Sequence, residues 1–285
     1  MMGTFVNLNL MALYFLYGLS FFIMGTAIAL QYRSYSTFRL ANSINLLAVF
    51  GILFGLGEWA NLFIPAKVPN LGDFPIWKLL VIQRLVLALA YFFLLAFGIN
   101  LINNSIKRPI PTWYVLPTVI FLGWMILFSR FMFMTDLPQI YSWLLHSDCW
   151  SRYLLAFPGG VLTGMGLFMQ IPQVKKLTDG LEPLNLWGAI VSFFLFSFVN
   201  GLVIPYEMGW LSTIFNYHTF RHFWGLPVEL FRTLIAVLAT WSITSLLSIF
   251  ELEKQRRILE SRRLEAVYRE RERFARDLHD DIIQS

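Results

Sequence analysis

Charge is what this sequence has least of. Only 14% of its 285 residues are Asp, Glu, Lys or Arg, against about 25% in a typical water-soluble domain. So few charges exclude a soluble globule, and the apolar excess excludes a disordered chain. There is one cysteine, Cys149, which rules out a disulfide scaffold and carries no information on redox compartment. Residues 251–285 contain neither glycine nor proline. What is abundant is apolar: 57% hydrophobic and 17% aromatic residues, with a mean hydropathy of +0.62.

The few charges are unevenly placed. Residues 251–285 hold nine Lys/Arg and nine Asp/Glu, which leaves thirteen basic and eight acidic groups for the first 250 residues. The formal +5 therefore belongs to the apolar part, and the tail is balanced. Such a tail is not the one-signed patch that nucleic acid requires, so no direct nucleic-acid binding is expected. Two physically different modules meet near Phe250.

A bilayer core about 30 Å thick is crossed by about 20 mainly apolar residues. Seven stretches qualify, at roughly 6–30, 41–64, 76–101, 113–135, 149–171, 185–206 and 224–250. Prolines punctuate the connections, at Pro65, Pro69, Pro75, Pro109, Pro111, Pro138, Pro172 and Pro183. No basic residue precedes the first stretch, so it lacks the n-region of a signal peptide and reads as a helix. Alternate loops carry Arg33 and Arg39, Lys107 and Arg108, then Lys175 and Lys176. Positive residues stay on the cytoplasmic side. The amino terminus is thus expected outside and the arginine-rich tail inside, which requires an odd number of crossings. All loops are short, so anything sensed is sensed within or at the edge of the bilayer.

Six ionisable residues fall inside these stretches: Glu58, Arg84, Arg130, Arg152, Glu229 and Arg232. The topology puts all six in the outer half, with Arg84 and Arg232 roughly 12 Å deep. Charge in hydrocarbon costs a few kcal/mol or more, so such groups pair or line a polar cavity. Four arginines face two glutamates, leaving two positive charges without a carboxylate. Two readings follow. In one, the layer is an outward-facing pocket for a small anionic or amphiphilic ligand, completed by Asn61, Asn200, Trp59, Tyr206 and Trp210. In the other it is structural: Glu58 and Glu229 pair with two arginines, Arg130 and Arg152 snorkel to head groups, and Glu229 pairs with Arg232 three residues on.

His218 and His222 have metal-compatible spacing, with Glu207 nearby, but two histidines make a weak metal signal. They read as membrane-edge residues, as does the loop residue His146. The stretch 224–250 has no lysine to form a retinal Schiff base, and no stretch has a histidine to hold a haem. Pro172–Gln173 resembles the Pro-Gln turn of small seven-helix transporters, which keeps transport as an alternative.

The tail, free of helix breakers and dense in Glu and Arg, predicts one long helix continuing the last span. Leu252 and Leu259 are seven apart, as are Val267 and Phe274, with a step of eight between the pairs. Leu264, Val267, Phe274 and Leu278 fit the a/d seam of a coiled coil. The register slip between the two halves is the kind of feature that lets two packings coexist. His279 lies beside the seam on the solvent side. Its imidazole becomes nucleophilic if the adjacent Asp280 takes the ring proton. Gln284 lies about 140° further round the helix and one turn on from Asp280, in reach of a water near the ring.

The run from Glu270 to Ser285 reads ERERFARDLHDDIIQS. It resembles the phosphoacceptor box of membrane sensor histidine kinases, in the nitrate-sensor and lipid-fluidity-sensor class whose box is His-Asp-x-x-x-Gln. The resemblance covers about 16 residues, and the helix before it is similar to the signalling linker of that class. It implies that His279 accepts the phosphoryl group of ATP, that Asp280 is the base, and that Gln284 assists dephosphorylation of a partner response regulator with a helix-turn-helix, DNA-binding output. It also implies a homodimer, a bacterial inner membrane, and ATP with Mg in a catalytic domain outside this stretch. Six residues follow His279, so the likeness is to the input half of such a kinase, without a cofactor of its own.

The expected fold is all-α: a seven-transmembrane helix bundle followed by a long cytoplasmic signalling and dimerisation helix. Residues 1–250 are the sensor, 251–269 the coiled-coil linker, and 270–285 the start of the phosphotransfer helix. The complete protein would be a histidine kinase. The other readings are a seven-helix transporter and a membrane adaptor whose charged tail merely dimerises.

Overall fold

The computed structural model describes the backbone of residues 2–31, 39–67, 76–106, 110–134, 136–177, 184–205 and 210–284. Side chains are described for these residues apart from 2–9, 39–42, 65–67, 131–132, 176–177, 210, 249–254, 256–257, 260 and 274–284. The described chain is helical almost throughout and contains no strand, only one bridge between Ile204 and Asn216. In order the helices are α1 Met2–Gln31, α2 Arg39–Lys67, α3 Ile76–Ser105, α4 Val115–Phe128, α5 Leu137–Ser151, α6 Phe157–Phe168, α7 Ile171–Leu177, α8 Leu184–Phe196, α9 Trp210–Ile214, α10 Tyr217–Trp224 and α11 Val228–Gln284.

Six helical stretches are long and apolar enough to cross a membrane: Leu10–Gln31, Ser43–Ile64, Ile76–Ser105, Leu137–Lys175, Leu184–Leu202 and Val228–Ser248. The fourth sequence stretch, 113–135, is realised as the shorter α4, 14 residues long, followed by a 3-10 turn over Ser129–Phe133. The region 136–148, read from sequence as a loop, is helical: α5 starts at Leu137 and runs on through α6.

The helices α1, α2, α3, α6, α8 and α11 pack in a closed ring, each against the next, with α11 returning to α1. Outside this ring α4 lies against α3 and α5. Apolar side chains such as Ile126, Leu234 and Trp241 face outward, as a lipid-facing surface does. Aromatics from α1, α2 and α8 pack together inside the ring. Phe21 meets Phe50, Phe54 and Phe196 edge-on, at ring separations of 5.5, 4.9 and 5.5 Å, and all four are buried. Edge-to-face contacts of this kind add about 0.5–1.5 kcal/mol each to the burial itself.

Without a hydrophobic drive between helices in lipid, close backbone approach does the packing. At the α1–α2 crossing it depends on Gly25, where a Cβ would lie 2.6 Å from the Ala48 carbonyl oxygen and 2.6 Å from the Ile52 nitrogen. Gly25→Val is therefore expected to lower stability by about 1–3 kcal/mol, read as a lower thermal midpoint in detergent. An unchanged midpoint would contradict this packing.

Two helices depart from α geometry at mid-length. Arg152–Ala156 joins α5 to α6 as a π turn, and Ser197–Leu202 extends α8 as another. The two turns touch. After the second, Val203 is extended, and Ile204 hydrogen-bonds to Phe215 and Tyr217. Those bonds hold Ile204 beside Phe215 and Tyr217, and α10 contacts α11. The Asn216 side chain caps α10 by accepting from the Thr219 N–H. Gly225, at φ 70°, ends α10 in the left-handed region that glycine enters freely.

Candidate functional site

Wide π turns leave main-chain carbonyls without their usual partners. In a low-dielectric interior those carbonyls must find other donors. Here two guanidiniums supply them. Arg232, in the first turns of α11, donates to the carbonyls of Val199 and Val203 at 3.1 and 2.9 Å. Arg152, at the start of the other π turn, donates to the Asn200 carbonyl and side-chain oxygens, both at 3.0 Å. The π turns and the buried charges thus account for one another.

Asp148 is the anion at the centre. One of its carboxylate oxygens is 2.8 Å from an Arg84 nitrogen and the other is 3.0 Å from Arg152 Nε. Asp148, Glu58, Arg152 and Arg232 are 2, 3, 4 and 4% exposed, so these charges are inside the protein and not snorkelling at its surface. Around them Asn200 donates to the Tyr91 hydroxyl at 3.2 Å and accepts from Tyr17 at 3.3 Å. Asn61 donates to Glu58 at 3.2 Å and accepts from Gln83 at 2.7 Å.

Tyr217 of α10 closes the cluster. Arg232 donates to its hydroxyl oxygen and lies 5.0 Å from its ring centre. Burial of the hydroxyl pushes its pKa above the ordinary phenol value, with the Arg232 guanidinium opposing. Tyr217 therefore stays neutral throughout the physiological pH range. On the other flank the Tyr14 hydroxyl donates to Glu229 at 3.2 Å. Thr233 and Thr240 bond to the carbonyls of Leu13 and Ser20 at 3.1 and 2.8 Å, tying α11 to α1 along its length.

These groups surround a cavity of about 440 Å³. Glu58, Arg84, Arg152 and Arg232, four of the six charges singled out from sequence, line it. Asp148 and Tyr217 line it too, and neither was singled out. Three expectations need correction. Glu58 and Glu229 do not balance the arginines as ion pairs among the described residues; Asp148 does, because α5 begins twelve residues before the apolar stretch and carries Asp148 into the layer. Glu229 does not pair with Arg232, whose donors go to carbonyls and Tyr217. Arg130 is exposed on the 3-10 turn after α4 and does not line the cavity, which departs from the pocket reading and agrees with the snorkelling one.

Other candidates scatter. Trp59 packs on Phe15 and donates to its carbonyl at 3.1 Å, outside the lining. Tyr206 and Glu207, and the side chain of Trp210, lie outside the described residues. His218 and His222 are exposed on α10, and His146 is exposed with its Nδ1 2.7 Å from the Ser142 carbonyl. Among the described residues no three His, Cys, Asp or Glu converge as metal ligands do. The backbone is helical at His279, Asp280 and Gln284, but their side chains lie outside the described residues. No protein-family model, curated protein or solved structure matches the chain.

Proposed function

We propose that this chain is the input and phosphoacceptor portion of a sensor histidine kinase. Continuity carries the reading. Arg232, held by the buried charge cluster, and the His279 box lie on one unbroken helix of 57 residues. A shift or rotation of α11 at the cluster therefore reaches the box without crossing a loop. The distance between the two is about 70 Å.

In this reading α4 and its 3-10 turn form a seventh crossing. Fourteen residues of α-helix and five of 3-10 helix extend roughly 31 Å together, the thickness of a hydrocarbon core. The amino terminus is outside, the charge cluster lies in the outer half of a bacterial inner membrane, and the tail is cytoplasmic. Leu264 and Val267 are 61 and 43% exposed on α11 and supply the seam along which two copies pair. On ATP delivered by a catalytic domain, His279 forms a phosphorus–nitrogen bond as the bond to ADP breaks, and Asp280 takes the ring proton. The phosphoryl group then passes to a response regulator, and Gln284 assists its later hydrolysis. The unbroken helix from the charge cluster to the tail favours sensing over the transporter alternative, since a transporter has no need of a rigid connection to the His279 box.

Sidedness tests this reading. Ser285→Cys, made together with Cys149→Ser, is expected to react with an impermeant maleimide only after the cells are opened. Thr4→Cys in the same background is expected to react in intact cells. Labelling of both positions from one side would mean an even number of crossings and would end the proposal.

A further inference from the structure

The cluster has donors left over. Arg84 Nε and Arg232 Nε are buried with no hydrogen-bond partner, and both residues line the cavity. Tyr217 accepts from Arg232, so among the described hydrogen bonds its own proton is uncommitted. A buried unpaired donor costs about 1–3 kcal/mol, more when charged, and native proteins leave few of them. Two unpaired guanidinium donors and one uncommitted hydroxyl proton, against one unbonded oxygen of Asp148 that Arg84 already pairs at 2.8 Å, mark a place for an acceptor.

The lining fixes the sign. Three guanidiniums face two carboxylates there, since Glu229 stands behind Tyr14 and outside the lining. A cation would be repelled, and a neutral apolar occupant would leave the donors orphaned. The rest of the wall is apolar, formed by Leu10, Met11, Leu62 and Pro205. At about 440 Å³ the space is in the range that small molecules occupy.

We infer that this cavity holds a small amphiphile by its oxyanion head, a carboxylate or phosphate set between Arg84 and Arg232 with a compact apolar body against Leu10 and Leu62. The inference deepens the sensor reading by naming the chemistry of its signal. Its test reads binding and not phosphorylation, so the two fail separately.

The test uses the full chain in nanodiscs, with hexanoate and hexanol as probes and calorimetry as the readout. In phosphatidylcholine discs hexanoate is expected to bind and hexanol is not. Arg84→Lys keeps a cation beside Asp148 but removes the free Nε donor, and should weaken hexanoate about tenfold or more. Leu62→Trp touches no charge and fills the apolar wall, and should abolish binding. Melting of each variant without ligand controls for folding. A second arm uses discs containing phosphatidylglycerol, with native mass spectrometry. Retention of that lipid by the wild type, and its loss from both variants, would place the oxyanion on a membrane lipid and support the same site. Equal binding of hexanoate and hexanol would overturn the inference. So would hexanoate and phosphatidylglycerol being held no better by the wild type than by Arg84→Lys and Leu62→Trp.

Discussion

Asp148→Asn is expected to lower the unfolding free energy by about 3–5 kcal/mol, the typical cost of removing one partner from a buried ion pair. Asp148 is nearly inaccessible and faces Arg84 on one oxygen and Arg152 on the other. An asparagine preserves the shape and some hydrogen bonding but leaves both guanidiniums uncompensated. Nor can they leave the interior easily, because Arg152 is also committed to Asn200. Arg84→Gln should cost less, since Asp148 keeps Arg152. The double variant should lose less than the two single losses combined, because the second change removes a charge that the first had orphaned. Denaturant-induced unfolding in mixed micelles measures all three. A wild-type midpoint for Asp148→Asn would show that the carboxylate is not the counter-charge of the layer.

The helices and their approximate limits were legible because the chain obeys one solvent rule over most of its length. Long apolar runs broken at Pro65, Pro109 and Pro183 can only be spans and turns in a bilayer. The tail was legible for the opposite reason: nothing in 251–285 can break a helix. Hydropathy was blind to Asp148, because an apolar window begins after its charge and assigns it to a loop. A finer signal was present, since Asp148 and Arg152 are four apart and share a helix face if the helix starts early. Arg130 fits the snorkelling reading and not the pocket one, because α4 lies outside the ring and already exposes Ile126 and Leu127 before the 3-10 turn begins. The π turns left only faint marks. Pro158 has no N–H for the Leu154 carbonyl inside the first, Gly201 lies in the second, and the carbonyls that need Arg232 are main-chain atoms that composition does not report. Tyr217 was missed because it lies on a short helix outside the apolar stretches, where sequence gives no hint that the chain folds back at Ile204.

The central proposal is that α11 carries an imidazole, that of His279, which takes phosphate. The direct measurement is transfer from ATP to this chain by the separately purified catalytic domain of a kinase of the His-Asp-x-x-x-Gln class, followed by mass spectrometry and by acid lability of the label. The expected effect is all-or-none at one position. Wild type should acquire one acid-labile phosphoryl group per chain on His279, and His279→Gln should acquire none while retaining the melting behaviour of the wild type. Asp280→Asn should slow labelling by about 10²–10⁴-fold, the usual worth of a positioned general base. Equal labelling of wild type and His279→Gln, or no label on either while the same domain phosphorylates its own partner, would contradict the account.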